Sequence, residues 1–384
     1  MAQRATPRRE FGCWGMLHAP IRWGRAASAA GAVAAVLALW AAPGAKAITK
    51  VFWGPAQVNG QSQLPIYQDL GVNYLQLQLR WDRIAPTRPA NPSDPNDPAY
   101  KWPKTLDQDI ANAEAVGIHY ALMLMGAPSW ANGGHDDPFF APLSADDYAA
   151  FATAASKRYP TVDHWMVWGE PNGLASFEPS IPQRRGAKRL TPAQAQAPRH
   201  YAEVLDAAYG AFKAVNPGNV VIGGMTYNLG LAINSFNWVR YMKLPNGKPP
   251  RLDLWGHNPF SYREPGLHRP PSPDGQVDFS DMQRFAKYID HYRHGRVKFW
   301  LSEFTIPTQA PDVAFGTFAE PPAVAAKWIR SAFKVAHAFR RITTMAWYSL
   351  YDEPPSTSGA PMRSEGLLFA DGTPKPGYYA FKAG

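Results

Sequence analysis

Short apolar runs recur along residues 48–384 with polar, turn-forming stretches between them. They are "KVFW" (50–53), "NYLQLQL" (73–79), "IHYALMLM" (118–125), "HWMVW" (164–168), "VVIGGM" (220–225), "LDLWGH" (252–257), "VKFWLS" (297–302) and "TTMAWYSL" (343–350). Each is four to eight residues long and rich in β-formers, which predicts eight strands. Helical spacing predicts helices between most of them, at 106–117, 144–159, 195–215, 281–292 and 322–339. The first ends at Gly117. The second opens on Ser144 as N-cap, with Asp146 and Asp147 in its first turn, where acids complement the helix dipole. Strands alternating with helices give a parallel sheet. Eight of them predict a closed (β/α)8 TIM barrel, with a doubly wound open sheet as the alternative. Open sheets of that kind often carry a Gly-rich phosphate loop, and neither G-x-G-x-x-G nor a Walker loop follows any run here. No repeat or low-complexity linker divides residues 48–384, so they are read as one catalytic domain.

Residues 1–47 have a different pattern. Five arginines precede the uncharged apolar run "AASAAGAVAAVLALW" (26–40), and Ala45-Lys46-Ala47 fits a small-x-small cleavage site. The expectation is a signal peptide and a secreted, extracellular product, with an uncleaved membrane anchor as the alternative. Fifteen apolar residues are short for a span. "RREF" (8–11) is a weak twin-arginine feature. The single cysteine, Cys13, falls in this segment. The remainder can therefore form no disulfide, thiolate metal site or cysteine nucleophile.

Composition narrows the function. The chain is 46% hydrophobic and 13% aromatic, with fourteen Trp and seventeen Tyr. A packed core rarely needs so many amphipathic rings. The formal charge of +9 is partly the leader's, whose six basic residues and one acid leave +4 on the rest. That is too mild to argue for nucleic acid. The basic stretch "QRRGAKR" (183–189) reads as a solvated loop. "GGHDDP" (133–138) also reads as a polar loop, because its acids and His135 are adjacent rather than set at ligand spacing. No metal and no cofactor are expected.

Active sites of such barrels form at the C-terminal ends of the strands. Glu170 ends the fourth run, in "HWMVWGEPNG", and Glu303 ends the seventh, in "KFWLSEFTIPT". The fourth and seventh strands of an eight-stranded barrel face each other across the mouth. Two carboxyls across a cleft are what glycoside hydrolysis requires, one protonated to serve the leaving oxygen and one ionised.

"VWGEPN" and "WLSEF", their glutamates 133 positions apart, resemble the paired signatures of clan A glycoside hydrolases. The resemblance covers residues 50–384. Families 39 and 5 of the clan, β-xylosidase-like and cellulase-like, are nearest. "LRWDRIAP" (79–86), "GAPSWANGG" (126–134) and "GLLFADGTPKPGYYAFK" (366–382) add to it. It implies a retaining double displacement on an oligo- or polysaccharide. Glu170 would be the acid/base and Glu303 the nucleophile, with carboxyls about 5–5.5 Å apart. It places Arg80 beside Glu303, holding it ionised, and Trp347 as a sugar platform with a non-proline cis peptide near it. Trp130 and Asn172 are further expected sugar contacts. Trp53, Trp81 and Trp168 are aromatics that either stack on sugar or pack the core.

Two departures stand out. The clan keeps an Asn directly before the acid/base, where it bonds the sugar 2-hydroxyl, and this chain has Gly169. Asn172 and Asn258 are the candidates to replace it. The clan also pairs His and Tyr after the sixth strand to orient the nucleophile. Here the run is "GHNPFSYR" (256–263), which supplies His257, with Phe260 in the expected Tyr position and Tyr262 further on. Three readings therefore stand: a retaining glycosidase, a carbohydrate-binding barrel without turnover, and a metal-dependent hydrolase or lyase. The third needs ligands at several strand ends, and only His257 is so placed.

Overall fold

The computed structural model describes residues 47–229, 231–354 and 360–384. The leader and Cys13 lie outside the described residues. Eight parallel strands follow one another around the barrel. They are β1 (Thr49–Trp53), β2 (Tyr74–Arg80), β3 (His119–Met125), β4 (His164–Val167), β5 (Val220–Tyr227), β6 (Leu254–Asn258), β7 (Lys298–Leu301) and β8 (Thr344–Tyr348). Ladders join each neighbour from β8 through β1 to β7. The last seam, between β7 and β8, is closed by a single bridge. Phe299 N donates to Arg341 O at 2.7 Å, and Thr343 N donates to Phe299 O at 3.0 Å. The open-sheet alternative is thereby set aside.

A helix follows each strand: α1 (Leu64–Leu70), α2 (Leu106–Glu114), α3 (Ala145–Arg158), α4 (Gln196–Val215), α5 (Ser235–Tyr241), α6 (Met282–Arg293), α7 (Pro322–Ala338) and α8 (Pro376–Lys382). The five helices expected from the sequence all form, and Ser144 caps α3 by accepting from Asp146 N and Asp147 N. Of the helices not foreseen, α1, α5 and α8 are seven residues each, under two full turns, and a single turn spans Trp81–Ile84; all are too short for apolar periodicity to register. Strand β5 runs two residues beyond its expected end. It does so through a bulge at Gly224 and Met225, where the register slips. Gly224 has φ +80°, and a Cβ there would lie 2.5 Å from the Trp255 ring, so only glycine fits. The bulge carries Tyr227 to the mouth of the barrel.

The centre of the barrel is polar at one level. Gln76 of β2 is fully buried. Its Nε2 donates to Ser302 O at 2.7 Å, and its Oε1 accepts from Trp300 Nε1 at 2.9 Å. Trp53 Nε1 donates to the same Ser302 carbonyl at 2.7 Å. These bonds hold the end of β7 from two sides, directly before Glu303.

Candidate active site

Strand β4 ends in a sharp bend. Trp168 and Glu170 both have left-handed backbone, φ 61° and 48°, with Gly169 between them. Such conformations cost energy in non-glycine residues and persist only where the surroundings impose them. Here Trp168 Nε1 donates to Ser176 O at 2.6 Å, Ser176 Oγ donates to Gly169 O at 2.7 Å, and Gly173 N donates to Glu170 O at 2.8 Å. The bend turns the Glu170 side chain into a cleft at the C-terminal mouth. Glu303, from the end of β7, lines the same cleft. Its walls include Trp53, Gln78, Met123, Met125, Phe139, Tyr227, Asn258, Phe260, Phe315, Tyr348, Arg363 and Glu365, and it encloses about 1230 Å³ counted out to its open rim.

Asn258, at the end of β6, orients the pair. Its Nδ2 donates to Glu170 Oε1 at 2.6 Å, and its Oδ1 accepts from Ser302 Oγ, the neighbour of Glu303. Burial pushes Glu170 up to about 7, with the Asn258 hydrogen bond drawing it partly back. Glu303 is also raised, first by burial and then by the charges of Glu170 and Glu365, with Arg363 opposing. Two buried carboxyls in one cleft repel each other when both are ionised, so the first proton taken up is held tightly and belongs to the pair. The arrangement can give a proton to one face of a bound group and present a carboxylate to the other.

The remaining expected site residues lie elsewhere. Arg80 is not among the residues lining the cleft. Its guanidinium makes a fork on Asp82, at 2.8 and 2.9 Å, and lies 5.5 Å from the Phe139 ring centre. The guanidinium acting on Glu303 is that of Arg363. Asn172 is fully buried and serves the backbone. Its Oδ1 accepts from Tyr227 N at 2.7 Å, and its Nδ2 donates to Tyr227 O and Ile233 O. His257 points out of the barrel toward Phe285 of α6. Its Nε2 contacts Val277 O at 2.9 Å, so that nitrogen carries the proton, and Nδ1 accepts from Thr226 Oγ1 at 2.8 Å. Burial pulls His257 down to about 4, which keeps it neutral.

Trp347 also points outward, against Phe304 and against Phe381 of α8, and donates to Glu365 O at 3.0 Å. Its neighbour Tyr348 faces the cleft, and the non-proline cis peptide is Tyr348–Ser349. Trp130 donates to Ala85 O and packs edge-on against Trp81. Tyr262 is half exposed and meets Phe315 and Phe318 edge-on, outside the lining. Of the other aromatics, Trp53 lines the cleft, whereas Trp81 and Trp168 are core residues.

Gly169 has a physical reason. A Cβ at this position would lie 2.9 Å from Met123 Sδ, so an asparagine enters only if Met123 moves. The sequence reading missed Arg363 and Glu365, in "RSE" directly before "GLLF" (366–369). The signal was an acid and a base after the eighth strand, in a loop whose direction no periodicity reports. Among the described residues no group of three or more His, Cys, Asp or Glu is placed to hold a metal, and no helix is long and apolar enough to cross a membrane.

No protein-family profile and no curated protein matches the chain. Solved structures do match. The chain superimposes on a family 39 glycoside hydrolase from Bacteroides cellulosilyticus with TM-score 0.57 and 16% identity, over 87% of this chain and 62% of that one. It superimposes on a monomeric β-xylosidase from Caulobacter crescentus with TM-score 0.59 and 18% identity, over 87% and 66%. A family 39 enzyme from Xanthomonas axonopodis pv. citri gives 0.59 and 17%, over 87% and 65%. The chain spans a little under two thirds of the length of these proteins. The fold is thus the (β/α)8 barrel on which glycoside hydrolases of family 39, in clan A, are built.

Proposed function

We propose that this chain is a secreted, retaining glycoside hydrolase acting on an oligo- or polysaccharide. The observation that carries the proposal is the placement of Glu170 and Glu303. They come from strands on opposite sides of one barrel, enter one cleft, and both hold protons more tightly than a solvated glutamate. Glu170, whose bend and Asn258 contact fix its direction, serves as acid and then base. Glu303 attacks the anomeric carbon, forming a glycosyl ester as Glu170 gives its proton to the departing oxygen. Water, deprotonated by Glu170, then breaks that ester. The aromatic and thioether walls exclude water and meet the apolar faces of sugar rings.

The test is sugar release from a panel of aryl glycosides and of plant and microbial polysaccharides, by residues 48–384 and their Glu303→Gln variant. Release by the unsubstituted protein alone is expected, and it names the sugar. Glu170→Ala is expected to spare glycosides with good leaving groups far more than poor ones, because only poor ones need the proton. Silence across the panel, with tight binding to one polysaccharide, contradicts the proposal and favours a binding barrel. Secretion is tested separately, by finding Ala47 removed from, or Ile48 at the start of, the protein exported by its native host.

A further inference from the structure

The outer flank of the barrel carries a second concavity, built partly from the basic stretch "QRRGAKR" (183–189). That stretch is pinned along α5 rather than left to solvent. Gln183 N donates to Ala232 O at 2.8 Å, and Asn237 Nδ2 donates to Ala187 O at 3.0 Å. Tyr241 Oη accepts from Leu190 N at 3.3 Å and donates to Leu190 O at 3.4 Å. So anchored, the segment brings Arg189 to a pocket completed by Arg199 of α4, Arg240 and Tyr241 of α5, Lys243 just beyond it, and Tyr292 of α6. The pocket encloses about 630 Å³ counted out to its open rim, and it shares no lining residue with the cleft.

Four cations converge there without an acid. Residues 179–195 and 235–250 hold four and three Lys and Arg respectively, and no Asp or Glu. The acids of the flanking helices are committed elsewhere: Glu203 of α4 to His200, Asp206 of α4 to Arg251 at 2.8 Å, and Asp290 of α6 to Arg341 at 2.7 Å. Like charges gathered in one concavity repel, and their field concentrates anions. Guanidinium forks match carboxylates and other oxyanions two bonds at a time. The Tyr292 ring adds an apolar wall. Its centre lies 6.0 Å from the Arg240 guanidinium carbon and 5.8 Å from Lys243 Nζ. A cation beside a ring face suits a sugar that carries an anion, whose C–H face rests on the ring. A nucleic acid needs cations set along a strip that tracks its phosphates, whereas these four share one pocket.

We propose that this pocket is a second glycan-binding site, for an acidic sugar whose carboxylate or sulfate is held by Arg189, Arg199, Arg240 and Lys243 and whose ring rests on Tyr292. The segment after β4 joins it to the cleft, since Gly173, Leu174, Ala175 and Ser176 line the cleft and Arg189 lines the pocket. A polymer anchored at the pocket raises its own local concentration at the cleft. The choice of a glycan rests on the glycosidase reading.

The experiment measures binding without turnover, on the Glu303→Gln protein. The probes are an oligogalacturonate, a sulfated dextran, neutral dextran, single-stranded DNA and inorganic sulfate, at physiological ionic strength. The same protein is compared with Arg189→Gln and Lys243→Gln added. A charge-matched control carries Lys104→Gln and Lys334→Gln, exposed cations outside the pocket. At least one acidic glycan is expected to bind about tenfold or more tighter than neutral dextran and DNA, and the tighter of the two separates carboxylate from sulfate. The pocket variant is expected to weaken that binding about tenfold or more, and the control less than threefold, with Tm unchanged in both. Five outcomes overturn the proposal: no binding of either acidic glycan; equal losses in pocket variant and control, which mark net charge alone; DNA bound as tightly as the glycans; inorganic sulfate displacing the glycan at equal concentration, which marks an ion site only; or a Tm lowered by several degrees in the pocket variant, which marks structural cations. Silence of the unsubstituted protein on the glycoside panel is a separate result, and it overturns the glycosidase reading while the binding result stands.

Discussion

Asn258 gives the clearest residue-scale prediction. Its amide stabilises the ionised form of Glu170, against the burial that raises it to about 7. Removing the donor in Asn258→Ala should push Glu170 higher. The high-pH limb of kcat/KM, which falls as Glu170 loses its proton near pH 7, should then move upward. At the same time kcat should drop about 10- to 100-fold as the carboxyl loses its orientation. An unmoved limb in the pH profile contradicts this role. Asn172 behaves oppositely. Asn172→Ala removes the side-chain bonds to Tyr227 N–H, to Ile233 O and to Tyr227 O, the last of which still accepts from Ser235 Oγ, which should lower stability by about 2–3 kcal/mol in denaturant titrations. A variant that keeps its stability and loses only substrate affinity would restore Asn172 as a sugar ligand.

At the scale of elements, alternation decides what a strand end contributes. His257 and Trp347, expected at the site from the resemblance, are the next-to-last residues of β6 and β8. Both sit one position from the residues that enter the cleft, Asn258 and Tyr348. In a strand successive side chains point to opposite faces, so a slip of one residue exchanges cleft for core. Nothing in "GHN" or "WYS" fixes that parity without the register to neighbouring strands. Glu170 and Glu303 were legible for another reason, since each lies just past an aromatic-rich apolar run and is followed within a few residues by a proline. The eight strands and the five longer helices were legible from period and length. The β5 bulge was not, because its Gly223-Gly224 pair reads equally as the end of a strand. Arg363 and Glu365 come from a loop 15 or more residues past β8, and loops carry no periodicity from which to infer a direction. Arg80 was misread because its partner, Asp82, lies only two residues on and takes both arms of the guanidinium.

At the scale of the whole molecule, the buried acids make stability depend on pH. Glu170 and Glu365 rise from the ordinary 4.5 to about 7 and about 8. A raised acid is bound to its proton more tightly in the folded state. Its contribution is therefore complete below about pH 4.5 and is lost as pH rises through 7 and then 8. His257, lowered from 6.5 to about 4, acts in the other direction: its contribution is present above 6.5 and is lost as pH falls through 4. Melting temperature measured across pH should peak on the acid side of neutrality. Glu365→Gln should flatten the part of the fall that lies nearest pH 8. A Tm that climbs steadily from pH 5 to 8 contradicts this account of the cleft.

The claim on which all scales depend is that Glu303 attacks and Glu170 supplies and removes the proton. The most direct measurement is the product formed by Glu303→Gly with azide and the aryl glycoside that the unsubstituted protein cleaves. With the carboxylate gone, azide fits the vacated space and attacks the same face, so the account predicts restored turnover and a glycosyl azide of inverted anomeric configuration. No rescue, or an azide product of retained configuration, would contradict it and remove Glu303 from the role of nucleophile.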